Sequence, residues 1–352
     1  MRVLFGVLVS VVVLFNSTTT LAEIFPLPSD GVDIVGENGY TLANQKDTLL
    51  DIARHNGIGQ KEILLANPGV DRWIPGANTQ VLLPKRYILP DTPREGIVLN
   101  IPEMRMYFYP PREDERDRQV VITHPISIGR MDWTTPLGVT KVIQKTIDPS
   151  WRPPKSIKKE HAEEGEILPD VVPPGPDNPL GRYAMRLGVP GYLIHSTNKP
   201  FGVGMRVTHG CVRMYPEDIE KLFPTVKLGT AVHIVNQPVK VSRQGEKIYI
   251  EVHPPLEEED LSYMKALNLA LDLIDKKSGQ RSPLINGYAL RTALKEHSGI
   301  AILISKMSRP KELDFIGPPP HSIGRKERQN DKPLQILSLM KRPRLFGYRL
   351  LD

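Results

Sequence analysis

The sequence predicts a mainly β protein: a central β domain, a small βααβ unit before it, and a mixed α/β extension after it. Three observations carry this reading. Between residues 96 and 237, apolar residues recur with a period of two, in short runs bounded by Pro, Gly and charge. Residues 39–84 switch from strand to helix and back within a unit that must rely on tight packing. Beyond residue 255 the apolar spacing becomes helical.

In chain order, Arg2 precedes an uncharged, almost wholly apolar run over residues 3–15, and a polar stretch then leads to Ala22. A bilayer span needs about 20 apolar residues, so the run suits the core of a signal peptide. The expectation is a signal peptide over residues 1–22, with Glu23 starting the mature chain. An uncleaved anchor is the rival reading.

In the small unit, Tyr40-Thr41-Leu42 opens as a strand and Asp47 is placed to cap a helix over residues 48–55. Gly57 and Gly59 break that helix, and a second one through Ile63, Leu64 and Leu65 stops at Asn67-Pro68-Gly69. Val81-Leu82-Leu83 closes the unit. Residues 84–93, with three prolines, read as a linker.

The β domain, residues 96–237, reads as strands at 97–99, 104–109, 120–123, 126–128, 140–144, 183–187, 192–194 and 231–235. Within it lie residues 149–179, a stretch of 31 residues with eight prolines. A loop of that length inside a domain is either disordered or functional, and the reading favoured is a lid. In the extension, residues 256–308, Leu261, Met264, Leu267, Leu271 and Ile274 mark one helix face. Ala289, Leu290, Ala293 and Leu294 mark a second, ended by Gly299, and a strand is expected over 300–304. Residues 309–352 read as a flexible basic tail.

The 352 residues carry a formal charge of +6, but residues 321–352 hold eight Lys and Arg against three Asp and Glu. The basicity therefore belongs to the tail, and no nucleic-acid partner is expected. Export gives the single cysteine, Cys211, its interest. Exported chains use cysteines in disulfide pairs, and an unpaired thiol there is open to oxidation. It is either a buried inert residue or one kept for its chemistry.

Its neighbours are Ile194-His195-Ser196-Thr197 and, after a glycine-containing loop, Thr208-His209-Gly210-Cys211-Val212-Arg213. A thiol attacks acyl carbon only as thiolate, so it needs a base or a positive neighbour. His195 closes a strand and can be folded back beside the sulfur. Gly210 can leave backbone amides open to an incoming carbonyl oxygen, and Arg213 can hold a carboxylate or depress the thiol pKa. Each part also has a bland reading: a structural His, a commonplace Gly-Cys pair, a surface Arg. The nine histidines show no metal-ligand spacing and there is no second cysteine, so no metal and no other cofactor is expected.

The run from His195 to Arg213 resembles the signature of the L,D-transpeptidases, the family with the YkuD catalytic domain: a His, a spacer, then Ser/Thr-His-Gly-Cys-x-Arg. Asp91-Thr92-Pro93-Arg94, Thr135-Pro136-Leu137-Gly138 and Gly175-Pro176-Asp177-Asn178-Pro179-Leu180-Gly181 resemble its periplasmic ErfK/YbiS subgroup. Asp47-Thr48-Leu49, Ile52-Ala53 and Ala66-Asn67-Pro68 resemble a LysM module. The resemblance implies a periplasmic enzyme with a β-sandwich catalytic domain that bears the Cys at its rim, and a LysM unit that binds N-acetylglucosamine in peptidoglycan strands. It implies attack on the bond between meso-diaminopimelate and D-Ala of a tetrapeptide stem, through an acyl-enzyme on Cys211. The acceptor amine would come from a second diaminopimelate or from an outer-membrane lipoprotein. By the same resemblance His195 is the base, the Ser196 carbonyl orients it, His209 and Gly210 shape the oxyanion site, Arg213 holds a substrate carboxylate and Tyr192 lines the cleft. Carbapenems acylate the cysteine of this family, so an adduct on Cys211 is expected. An L,D-carboxypeptidase that uses water, or a wall-binding protein without activity, are the alternatives.

Overall fold

The computed structural model describes residues 23–305, apart from 30, 113, 115, 117, 132, 133 and 280–282, and the backbone of Leu350–Leu351. The expected signal peptide and nearly all of the expected tail lie outside the described residues. No helix among the described residues is long and apolar enough to cross a membrane.

Strand β1 (Glu23–Pro26) adds to one edge of the main sheet, and β2 (Ile34–Val35) follows. The small unit comes next, as β3 (Gly39–Leu42), α1 (Leu49–His55), α2 (Gln60–Ala66) and β4 (Gln80–Leu83), with β3 antiparallel to β4. Leu49, Ile52, Ala53, Ile58, Ile63 and Val81 make its core. Thr48 rather than Asp47 caps α1. The Thr48 hydroxyl accepts from Asp51 N at 3.1 Å, and Asp51 accepts from Thr48 N at 3.0 Å, so two orphan helix donors are satisfied together. Asp47 instead accepts from Asn44 N. Residues 84–93 are more than a linker. β5 (Tyr87–Ile88) pairs with β2, and Tyr87, Ile88 and Leu89 are buried. The flanking prolines hid that apolar run.

The main sheet is built from β6 (Gly96–Asn100), β7 (Arg105–Tyr109), β8 (Val120–Pro125), β10 (Gly138–Ile147), β11 (Tyr183–Leu187), β12 (Leu193–His195), β14 (Val212–Arg213) and β15 (Ala231–Val235), with β1 at one edge. The order is β1-β8-β7-β6-β15-β10-β11-β12-β14, with β6–β15 and β12–β14 parallel. Side chains alternate across a strand, so Ile97, Leu99, Met106 and Phe108 enter one core while Val98, Tyr107 and Tyr109 enter another on the opposite face. The first core also takes Val142, Met185, Leu187, Ile194 and Val212 from the far half of the same sheet. Both halves can face one core only if the sheet curls. β10 makes the corner, pairing with β15 through its first residues and with β11 through its last, with a register shift at 142–144. Helix α4 (Pro216–Thr225), started by a proline at its first position, adds Ile219, Leu222 and Phe223 to that core.

Residues 149–179 are ordered. They hold α3 (Lys155–Glu163), a bridge between Trp151 and Val172, and a buried Asn178 whose amide donates to Pro149 O at 2.7 Å, tying the ends of the segment together. β9 (Ile128–Gly129) pairs parallel with β13 (Arg206–Thr208) beside the main sheet.

The hairpin β16 (Val239–Gln244) and β17 (Lys247–Val252), which the sequence pattern does not predict, packs with α5 (Tyr263–Ser278), β18 (Ile285–Asn286), α6 (Gly287–Glu296) and β19 (Ile302–Leu303). In α5 the buried line is Ala266, Ala270, Ile274 and Ser278, while Met264 is exposed. Small residues let this helix approach the hairpin closely, so the expected face of large residues lies partly to one side.

Candidate active site

The sheet order brings the chemistry together. β12 ends on His195, and its parallel neighbour β14 starts directly after Cys211, with Ile194 opposite Val212 and His195 opposite Arg213. The turn between β13 and β14 carries Gly210 at φ 98, a left-handed conformation that a side chain would strain. Thr208 Oγ1 donates to Cys211 O at 2.6 Å and accepts from Gly210 N at 3.2 Å, while Thr135 Oγ1 donates to Gly210 O at 2.9 Å. The Gly210 amide is thus engaged rather than open, which narrows its expected oxyanion role.

Cys211, His195, His209 and Arg213 line one cavity of 1110 Å³, and Trp151 and Ile157 from residues 149–179 form part of its wall. Tyr192 is not among the lining residues; its hydroxyl donates to Thr134 O at 3.2 Å. Ser196 O stands 2.6 Å from His195 Nδ1, and the Leu180 carbonyl also faces the ring. The Cys211 thiol donates to Gly191 O at 3.5 Å rather than to the imidazole, and the Leu193 amide faces the sulfur.

Burial, with the Arg213 charge adding to it, pushes His195 down to about 3, so the ring is neutral at neutral pH. Burial pushes the Cys211 thiol up, against smaller pulls downward from the Leu193 amide and Arg213. The resting pair is therefore thiol and neutral imidazole, not an ion pair. Arg213 lines the cavity, and its Nε is buried without a hydrogen-bond partner.

Sequence reasoning gives no role to Thr135, which it reads only as part of a family motif, and misses Arg130 and Glu160. Arg130 Nη2 donates to Glu160 Oε1 at 2.6 Å, and Glu160 Oε2 lies 2.6 Å from His209 Nε2. Glu160 sits in α3, whose single buried residue, Ile157, gives no apolar period to read.

The L,D-transpeptidase catalytic domain family, YkuD, matches residues 94–234. The chain is 39% identical over 313 residues to the probable L,D-transpeptidase ErfK/SrfK of Escherichia coli K12, covering 86% of this chain and 98% of that protein. It is 44% identical over 245 residues to the probable L,D-transpeptidase YcfS of the same strain, covering 68% of this chain and 75% of the relative. Among solved structures it is similar to the catalytic domain of an Enterococcus faecium L,D-transpeptidase, at 21% identity and a TM-score of 0.31, over 42% of this chain and 100% of that one. With His195 at the end of one strand, Cys211 directly before its parallel neighbour, and the Escherichia coli ErfK/SrfK relative matched over 98% of its length, the chain belongs to the L,D-transpeptidase family.

Proposed function

We propose that this chain is a periplasmic peptidoglycan transpeptidase in which Cys211 attacks the meso-diaminopimelate–D-Ala bond of a tetrapeptide stem. The observation that carries the reading is one cavity lined by a thiol, a neutral imidazole and an arginine. Arg213 would take a stem carboxylate, and binding there would bring the scissile carbonyl to Sγ. As the C–S bond forms, the thiol proton passes to His195, whose Nδ1 side is held by the Ser196 carbonyl. With Gly210 N already bonded to Thr208, the Cys211 amide is the oxyanion donor this loop offers. The C–N bond then breaks, His195 returns its proton to the departing amine, and D-Ala leaves a thioester on Cys211. A second diaminopimelate or a lipoprotein lysine would lose its proton to His195 and attack the thioester, restoring the thiol. Residues 149–179 would act as the lid that keeps water from competing with that amine. The small βααβ unit, with Trp73 and Ile74 exposed between α2 and β4, is the candidate glycan contact, as its likeness to LysM suggests. Residues 1–22 would direct export.

Incubation with purified tetrapeptide muropeptides, read by mass spectrometry, tests the proposal. A cross-linked dimer lacking one D-Ala is the expected product. A tripeptide monomer alone would assign the chain to the L,D-carboxypeptidases. No product, with the protein still sedimenting with peptidoglycan, would leave it a wall-binding protein.

A further inference from the structure

α3 reaches the thiol loop through one side chain. Glu160 Oε2 lies 2.6 Å from His209 Nε2, its Oε1 accepts from Arg130 Nη2 at 2.6 Å, and Arg130 Nη2 lies 3.3 Å from His209 Nε2. His209 and Arg130 hold the carboxyl below the usual carboxylate range, so it is ionised at neutral pH. These two partners mark adjacent strand ends. Arg130 follows β9, His209 follows β13, and Arg130 N donates to Thr208 O at 2.9 Å. A single carboxylate thus clamps both ends, one residue before Gly210 and two before Cys211.

The inner side of this loop is held by Thr208 and Thr135, as described above. On the side of residues 149–179, Glu160 supplies the tether. The rest of α3 offers little packing: Ile157 is its one buried residue, and its remaining side chains are mostly charged or small. Polar contacts hold the helix as well: Lys158 pairs with Asp170 and His161 with Glu166 inside the segment, while Glu160 reaches out of it to His209 and Arg130 beside the nucleophilic loop.

We propose that Glu160 is a positioning residue for Cys211. Acting through the His209 ring, it sets the 209–211 loop and ties the placement of residues 149–179 over the cavity to the assembly of the oxyanion site. This rests on the transpeptidase reading above. A carboxylate that merely holds the helix in place would alter substrate entry without acting through His209.

A double-mutant cycle on the full chain separates the two. The rate of Cys211 acylation by a carbapenem is followed by intact mass for wild type, Glu160→Ala, His209→Ala and the double variant, with thermal unfolding of each alongside. Misplacing a reacting group by about 1 Å costs on the order of 10²-fold, and Glu160→Ala is expected to slow acylation on that scale. The double variant should be no slower than His209→Ala alone. Glu160→Asp, one methylene too short to reach His209, carries the same prediction should the alanine variant fail to fold. Additive losses, or a Glu160 variant that acylates at the wild-type rate, overturn the proposal. A wild type that forms no adduct at all overturns the transpeptidase reading, and the positioning role with it.

Discussion

Two buried charged clusters in this molecule invite comparison. Between the main sheet and the C-terminal unit, Lys240 Nζ lies 2.8 Å from Glu103 and 2.7 Å from Glu251, and donates to Ile88 O at 2.6 Å. Glu251 also takes His253 Nε2 at 2.6 Å and Ile88 N at 2.6 Å, and the Tyr107 hydroxyl donates to Glu103. Glu103, Glu251 and His253 alone present the donor set of a divalent cation, with ligand atoms within 4.8 Å. The Lys240 ammonium fills that place. Around Cys211 the bonding is left incomplete: Arg213 Nε is buried without a partner and the thiol has a long contact with a carbonyl. The cluster that joins two units of the fold is saturated, whereas the one proposed to take the substrate is not.

The sharpest way to break this comparison is to remove one cation from each cluster. Lys240→Met strands two carboxylates in the interior, and losing one partner of a buried ion pair costs about 3–5 kcal/mol. Urea unfolding should show that loss. Arg213→Met removes a charge whose burial is uncompensated, so stability should hold or rise. Turnover of muropeptides should instead fall about 10–100-fold, the worth of a charge-assisted hydrogen bond. Equal destabilisation by both variants would erase the distinction.

Acid sharpens it further. Glu251 is held at about 2, mainly by Lys240 and His253 against the effect of burial, so its contribution is present above the ordinary carboxyl value of 4.5 and is lost as pH falls toward 2. His195 is depressed from 6.5 to about 3, so the fold favours its neutral form. Its contribution is present above 6.5 and fades as pH falls through the window down to 3. Thermal unfolding should therefore decline in two stages below neutrality, and His195→Gln should flatten the upper one. An unchanged upper stage in that variant would contradict the burial of His195.

A smaller effect concerns the thiol. Because Cys211 is pushed above its ordinary value of 9.0, alkylation by iodoacetamide should rise with pH to a midpoint above that value, with no plateau near neutrality. A plateau at pH 6 would mean a preformed thiolate–imidazolium pair.

The two clusters also differ in how well the sequence announces them. His195, Gly210, Cys211 and Arg213 are legible because short segments carry them, and because adjacency of β12 and β14 needs no more than a return of the chain. The longer strands of the β domain and the two helices of the small unit follow from periodicity, with Thr48 displacing Asp47 as the cap, whereas β13 and β14, three and two residues long, are too short to show a period. Lys240 and Glu103 are 137 residues apart, and Glu160 and His209 are 49 apart. Their meetings depend on how the sheet curls at β10 and on where residues 149–179 lie, which no local pattern encodes. The hairpin of β16 and β17 was missed for a related reason. Its strands are buried along most of their length, so Lys240 and Glu251 interrupt the apolar alternation that a half-buried strand would show.

The most direct test of the account is the mass of the protein after brief exposure to a tetrapeptide donor without an acceptor amine. The account predicts a gain equal to the stem minus D-Ala, on the peptide containing Cys211 and absent from Cys211→Ala. No gain, or a gain that persists in Cys211→Ala, would contradict it.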